Sequence, residues 1–227
     1  MNSISSAQAP SFDSFDNNEV KVRRVAQGSE PGVLTDIYLE ENNIVIWERE
    51  LSATLKKSVD AFIKANPTFQ ASMTVTPQTV LSSIRKSLGD NTQLCESIAE
   101  LVDMFCHLFE LKRVGLRLTV LNRAMCPRFH VDRVPTRLVT TFQGIATEWL
   151  PHQAVNREKL GLGNNGKPDS ESGLYKNSHD IQQLSCGEVA LLKGELWEGN
   201  ENAGLVHRSP ALPADESRLL LTLDFSR

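Results

Sequence analysis

Cys126-Pro-Arg-Phe-His130-Val-Asp132, answered far downstream by Gly204-Leu-Val-His207-Arg-Ser-Pro210, is the part of the chain on which the fold turns. Side chains alternate between the faces of an extended strand, so His130 and Asp132 point one way and Val131 the other. Two ligands two residues apart on one strand can hold a single ion. His207 supplies a third if the chain folds back beside them. Two histidines and one carboxylate with open positions make the facial arrangement of non-haem iron(II) sites. Such a site leaves room for a substrate or an oxidant, so it suits chemistry better than structure. The plainer alternative is a strand end whose His130 and Asp132 pair with each other or with Arg133.

Strand patterns surround this motif. Val114 to Leu121 alternates, with Leu116, Leu118 and Val120 set against Arg117 and Thr119. Arg137 to Phe142, Glu188 to Leu192 and Arg218 to Phe225 are further strands, rich in Val, Leu and Thr. In the last of them, period two puts Arg218, Leu220, Thr222 and Asp224 on one face. If that face lines the interior of a barrel, Arg218 is a buried cation that needs an anion. A planar guanidinium suits a carboxylate held through two hydrogen bonds. The alternative is an arginine in solvent beside Asp215 or Glu216.

Upstream the period changes from two to about 3.6. Asn43 to Trp47 is a short apolar strand. Leu51, Leu55, Val59, Phe62 and Ile63 then recur at helical spacing, with Pro67 beyond the end. Thr76-Pro77 reads as an N-cap followed by proline, opening a helix through Val80, Leu81, Ile84 and Leu88 that Gly89 stops. A third helix is expected over residues 92–111. Residues 1–30 are polar and without period, the pattern of a flexible arm. Residues 31–227 form one domain: a helical buttress over about 48–112, a β core over about 113–227, and a long polar loop over about 152–183. A loop of that length is expected to be a lid, a binding loop or a disordered insert. Helices first and strands later imply an α+β fold.

The 227 residues are 40% hydrophobic and 23% charged, the composition of an ordinary globular protein. A net charge of -4 argues against a nucleic-acid surface, and no apolar run reaches the length of a membrane span. The N-terminus lacks the basic start and apolar stretch of a secretory signal. Cys95, Cys106, Cys126 and Cys186 sit singly, as reduced thiols in a cytoplasmic protein would.

Cys126 carries the competing reading. It lies four residues before His130, close enough to join His130, Asp132 and His207 in a closed four-ligand site, and thiolate with imidazole suits zinc. The other reading is a small thiol packed behind the strand. His107, His152 and His179 have no partner at ligand spacing. Trp149 and Trp197 fit a core as well as a pocket wall. Arg123, Arg128 and Arg137 gather near the first half of the site, where one can meet an anionic substrate.

The Cys-Pro-x-Phe-His-x-Asp motif, Arg137 to Gly144 running into Thr147-Glu-Trp-Leu-Pro151, Gly187 to Glu195, and Gly204 to Pro210 together resemble the bacterial domain-of-unknown-function family 1826, over about residues 34 to 227. More coarsely, the HxD pair, a distal histidine and an arginine some ten residues later resemble 2-oxoglutarate/iron(II) oxygenases. That resemblance implies a double-stranded β-helix, or jelly-roll, core with the N-terminal helices packed against it. It implies iron(II) on His130, Asp132 and His207, and Arg218 on the distal carboxylate of 2-oxoglutarate. It implies a small-molecule or protein substrate. Those enzymes often carry Ser or Thr two residues after the arginine, where this chain has Leu220. The family also resembles products of zinc-responsive gene clusters, which implies the alternative of a non-catalytic zinc-binding protein of the same fold.

Overall fold

The computed structural model describes residues 22–89 and 91–226. Their strands are β1 (Arg24–Gly28), β2 (Asn42–Trp47), β3 (Gln70–Val75), β4 (Val114–Leu121), β5 (Thr136–Gln143), β6 (Glu148–Leu150), β7 (Gln182–Gln183), β8 (Val189–Lys193), β9 (Val206–Arg208) and β10 (Arg218–Phe225). Three α-helices, α1 (Ala53–Ala65), α2 (Val80–Leu88) and α3 (Thr92–Leu108), lie between β2 and β4. The strands form two sheets. The larger runs β1-β2-β8-β5-β10-β4-β3 and the smaller β7-β6-β9. Among the described residues each strand pairs within its own sheet, so the fold is α+β with two stacked sheets.

β10 is central, pairing antiparallel with both β4 and β5. Its alternation decides what lies on each side. Leu219, Leu221 and Leu223 are fully buried and join the helices in the main core with Val59, Ile98 and Phe105. Burying side chains of this size stabilises the fold by about 1.5–3 kcal/mol each. Arg218, Leu220, Thr222 and Asp224 face the opposite way. On that second face, Ile44, Ile46, Val139, Ala190 and Leu192 of the large sheet pack against Ala146, Trp149, Leu184 and Leu205.

The helices follow their sequence signals closely. Ser52 caps α1 by accepting from the Leu55 amide, and Asn91 caps α3 by accepting from the Leu94 amide. Two boundaries shift. The Thr76 carbonyl accepts from the amides of Thr79 and Val80, so residues 77–79 form a turn and α2 starts at Val80. α3 ends at Leu108, because Glu110 adopts φ 52° and the Leu111 amide returns to the Cys106 carbonyl.

Strands arise where none was expected, β1 and β3 among them. β1 falls in the segment read as a flexible arm, and pairs parallel with β2; the remainder of that arm, residues 1–21, lies outside the described residues. β3 falls between α1 and α2, on the edge of the large sheet beside β4. The long polar segment 152–183 winds through four short 3-10 turns and ends in β7. It packs inward through Leu174, which joins Phe129, Leu150 and Val206 in a third small core. No helix among the described residues is long and apolar enough to cross a membrane.

Candidate metal centre

The chain reaches the site twice. His130 and His207 form an antiparallel bridge, each amide donating to the other's carbonyl at 3.0 Å. β9, which carries His207, is held by β6 on its other side. The residues flanking the two histidines point into the third core: Phe129 and Val206 are buried there, and Val131 packs against them. His130 and His207 therefore turn the other way, together with Asp132. Their rings stand 4.6 Å apart.

The position of Asp132 is set from two sides. Its carbonyl accepts from the Glu195 amide just past β8. Gly194 makes this approach possible, since a Cβ there would lie 2.1 Å from the Val134 carbonyl oxygen and 2.8 Å from that of Asp132. Its carboxylate lies 3.4 Å from His207 Nε2 and 3.9 Å from His130 Nε2, and accepts from Arg137 at 2.8 Å. One ligand-type atom from each of His130, Asp132 and His207 lies within 4.8 Å of the others.

Protonation favours ligation. His130 Nδ1 faces the Arg128 carbonyl at 2.9 Å and His207 Nδ1 faces the Leu205 carbonyl at 3.3 Å. A carbonyl only accepts, so Nδ1 of each ring donates there, and Nε2 is the atom turned toward Asp132. Such outer hydrogen bonds fix the tautomer of a metal-binding histidine. Burial, helped by the neighbouring His207, lowers the pKa of His130 and keeps it neutral. Burial pushes the Asp132 carboxyl up, but the hydrogen bond and charge of His207, with Arg137 behind, outweigh it and hold the pKa at about 2. Neutral imidazoles and an ionised carboxylate are the forms that bind metal.

Arg137 was expected only as one of three arginines near the site. Its guanidinium is fully engaged: Nη1 donates to Asp132, while Nε and Nη2 donate to Asp224 at 2.7 and 3.1 Å. It orients a candidate ligand and is not free for a substrate. Asp224 lies opposite Arg137 in the β5–β10 register, so the pair follows from strand pairing.

Arg218 is 1% exposed. It donates to Thr141 at 3.1 and 3.2 Å, to Thr147 at 2.7 Å and to Ser209 at 3.2 Å. All are neutral hydroxyls, and among the described residues no carboxylate pairs with it. Burial lowers its pKa to about 10. A cavity of about 110 Å³ is lined by His130, His207 and Arg137 together with Thr147, Ser209 and Arg218. A buried cation without an anion is costly unless something supplies the anion. The sequence pointed to Arg218 but not to its three hydroxyls. Ser209 was in reach, since period two from His207 places it on the same face.

Cys126 is exposed on the rim of this cavity, outside the three-residue group. It is not the thiol packed behind the strand. His107, His152 and His179 are also outside the group. His152 Nδ1 lies 3.2 Å from Arg157 instead. Trp149 is buried between the sheets, and Trp197 packs against Tyr38 and Phe109. A residue with no sequence signal, Asp169 of the long polar segment, accepts from the Phe129 amide at 2.8 Å and sits near Arg128 and Arg208. It ties that segment to the stretch bearing His130, which forms an isolated bridge rather than the expected strand.

Among solved structures, the chain is similar to a dioxygenase for auxin oxidation from rice, at 10% identity and a TM-score of 0.50, over 89% of this chain and 82% of that one. It is similar to the same extent, 10% identity and 0.50 over 89% and 92% of the two chains, to dioxygenase for auxin oxidation 1 of Arabidopsis thaliana bound to 2-oxoglutarate. This likeness is one of fold. No curated protein matches the sequence. The family described as "Protein of unknown function (DUF1826)" matches residues 28–224, and the chain belongs to that family.

Proposed function

We propose that the protein is a metal-dependent oxygenase of the iron(II)/2-oxoglutarate type, built on a double-stranded β-helix core. One observation carries the reading. Two histidines of the His130, Asp132 and His207 group line a small cavity together with a buried arginine that has no carboxylate partner among the described residues. The likeness in fold to two dioxygenases supports it. His130, Asp132 and His207 would hold iron(II), and Arg218 would hold a carboxylate of 2-oxoglutarate. Iron(II) with 2-oxoglutarate supplies the oxidising chemistry when bound.

The chain's own groups do the rest. Arg137 fixes the Asp132 carboxylate, and the Arg128 and Leu205 carbonyls fix both imidazole tautomers. Thr141, Thr147 and Ser209 each accept a hydrogen bond from Arg218, so each hydroxyl proton is free to point elsewhere. An arriving carboxylate finds a guanidinium and nearby hydroxyl donors. This offsets the absence of a hydroxyl at Leu220. The free state of the four cysteines accords with a cytoplasmic protein, which we also propose.

The test is metal analysis of protein purified under argon without a metal-binding tag, followed by titration of the iron(II) form with 2-oxoglutarate. A visible charge-transfer band that His130→Ala with His207→Ala abolishes is the expected result. Tightly held stoichiometric zinc with no response to 2-oxoglutarate would replace this reading with a non-catalytic zinc-binding protein.

A further inference from the structure

The second face of the large sheet is covered unevenly. The small sheet packs over β2, β8 and β5, and no residue of β3 or β4 belongs to that inner core. There the strand register lays out a polar floor. Gln70 of β3 pairs with Thr119 of β4, and Ser72 with Arg117. The same rows continue into Leu220 and Thr222 of β10, on the face that carries Arg218. On β3, Gln70, Ser72 and Thr74 are exposed, while Val75 is buried toward the helices.

A groove of about 1030 Å³ lies over this floor, between Pro67 and the segment after β4. It meets the metal cavity at Arg117, Thr119 and Met125, which line both. Met125 stands 43% exposed at the junction. Arg117 and Arg123 both line the groove, and no acidic residue does. Both are exposed, and among the described residues neither belongs to an ion pair. Arg137 and Arg208, also near the site, differ. Arg137 is matched by Asp132 and Asp224, and Arg208 by Glu148 and Asp169. In a chain of net charge -4, two unmatched guanidiniums in one groove that opens on the metal cavity are a local field of the opposite sign.

We propose that this groove is the substrate site and that the substrate is a small polar anion bearing a phosphate or carboxylate group. Arg117 and Arg123 hold that group, and the body of the molecule passes Thr119 and Met125 to reach the metal. A guanidinium pairs with either anion through two parallel hydrogen bonds. Gln70, Ser72 and Thr119 offer an amide and hydroxyls to a hydroxylated body. The groove is of small-molecule size. The word substrate rests on the oxygenase reading; the anion site itself rests only on the groove.

Three probes of one shape separate the possibilities: glucose 6-phosphate, glucuronate and glucose, followed by ligand-observed saturation-transfer NMR under argon. Each is measured on metal-free protein and on protein saturated with iron(II) and 2-oxoglutarate. The expected result is that at least one anion binds about tenfold more tightly than glucose, and Arg117→Gln with Arg123→Gln removes that advantage. In Arg123→Gln alone, the affinities for iron(II) and 2-oxoglutarate stay within about twofold of the parent, since Arg123 lines the groove and not the metal cavity. Whichever anion binds more tightly names the charged group. The proposal is overturned if glucose binds as well as both anions, if the double variant keeps the preference, or if saturating 2-oxoglutarate displaces the anions. If iron(II) and 2-oxoglutarate fail to bind while the anion preference holds, the oxygenase reading falls and the anion site stands.

Discussion

His130 and His207, 77 positions apart in sequence, exchange both backbone hydrogen bonds at 3.0 Å, and this single bridge brings their rings to 4.6 Å. The two rings are thus anchored through the main chain. If the site holds a metal, its supporting groups should set the affinity together with the histidines.

Arg137 is the first such support. Arg137→Met frees the Asp132 carboxylate to rotate and leaves Asp224 without its partner. Metal affinity should fall by about 10- to 100-fold, the usual cost of losing an outer-sphere partner. Competition against a chelator of known affinity measures it, and an unchanged affinity would show that Asp132 needs no brace.

Arg218 separates metal from co-substrate. Arg218→Met should weaken 2-oxoglutarate binding by about 100-fold while metal affinity stays within about twofold. Thr147→Val, which removes the nearest hydroxyl at 2.7 Å, should give a smaller loss in the same direction. Calorimetry on the iron(II) protein under argon distinguishes the two effects.

The metal-free protein should show the signature of Asp132 on its acid side. Its folded pKa of about 2 lies below the unfolded value, so the ionised form is favoured by folding. Its contribution is complete above the unfolded pKa of about 4 and is lost as pH falls toward 2. The size is roughly 2 kcal/mol. Urea denaturation of wild type and Asp132→Asn across pH 2 to 5 should converge at the acid end. Parallel curves would mean that the carboxylate is not held as its contacts suggest.

Cys126 should be dispensable for metal. Cys126→Ser should leave metal affinity within about twofold, since the thiol is outside the three-residue group. In the folded protein, Cys126 and Cys186 should react with a thiol reagent well before the buried Cys95 and Cys106. A sharp loss of metal in the serine variant would place the thiol in the coordination shell.

Asp169 ties the long polar segment to the stretch bearing His130. Its carboxylate is 7% exposed and accepts from the Phe129 amide beside two arginines. Asp169→Ala should cost about 2 kcal/mol, because it leaves the buried Phe129 amide without its acceptor, while Arg208 keeps Glu148. It should also lower metal affinity through His130, next along the chain. Thermal denaturation and chelator competition test the two effects separately.

Much of this protein was legible along the chain. Alternation in Val114–Leu121 and Arg218–Phe225 gave both strands at their observed limits, because each has one face against the helices. Leu55, Val59, Phe62 and Ile63 marked the buried side of α1 for the same reason. The HxD spacing put His130 and Asp132 on one side of an extended stretch, but in place of the expected strand only His130 pairs, in an isolated bridge with His207. β1 and β3 were invisible because each is an edge strand with a largely exposed face, so pairing with a neighbour, rather than its own hydrophobicity, makes it a strand. Only the tertiary structure decided that His207 meets His130, that Arg137 is spoken for by Asp132 and Asp224, and that Arg218 is enclosed by hydroxyls without an anion. Those facts depend on contacts between residues far apart in the chain, and a sequence period carries no information on which strand lies beside which.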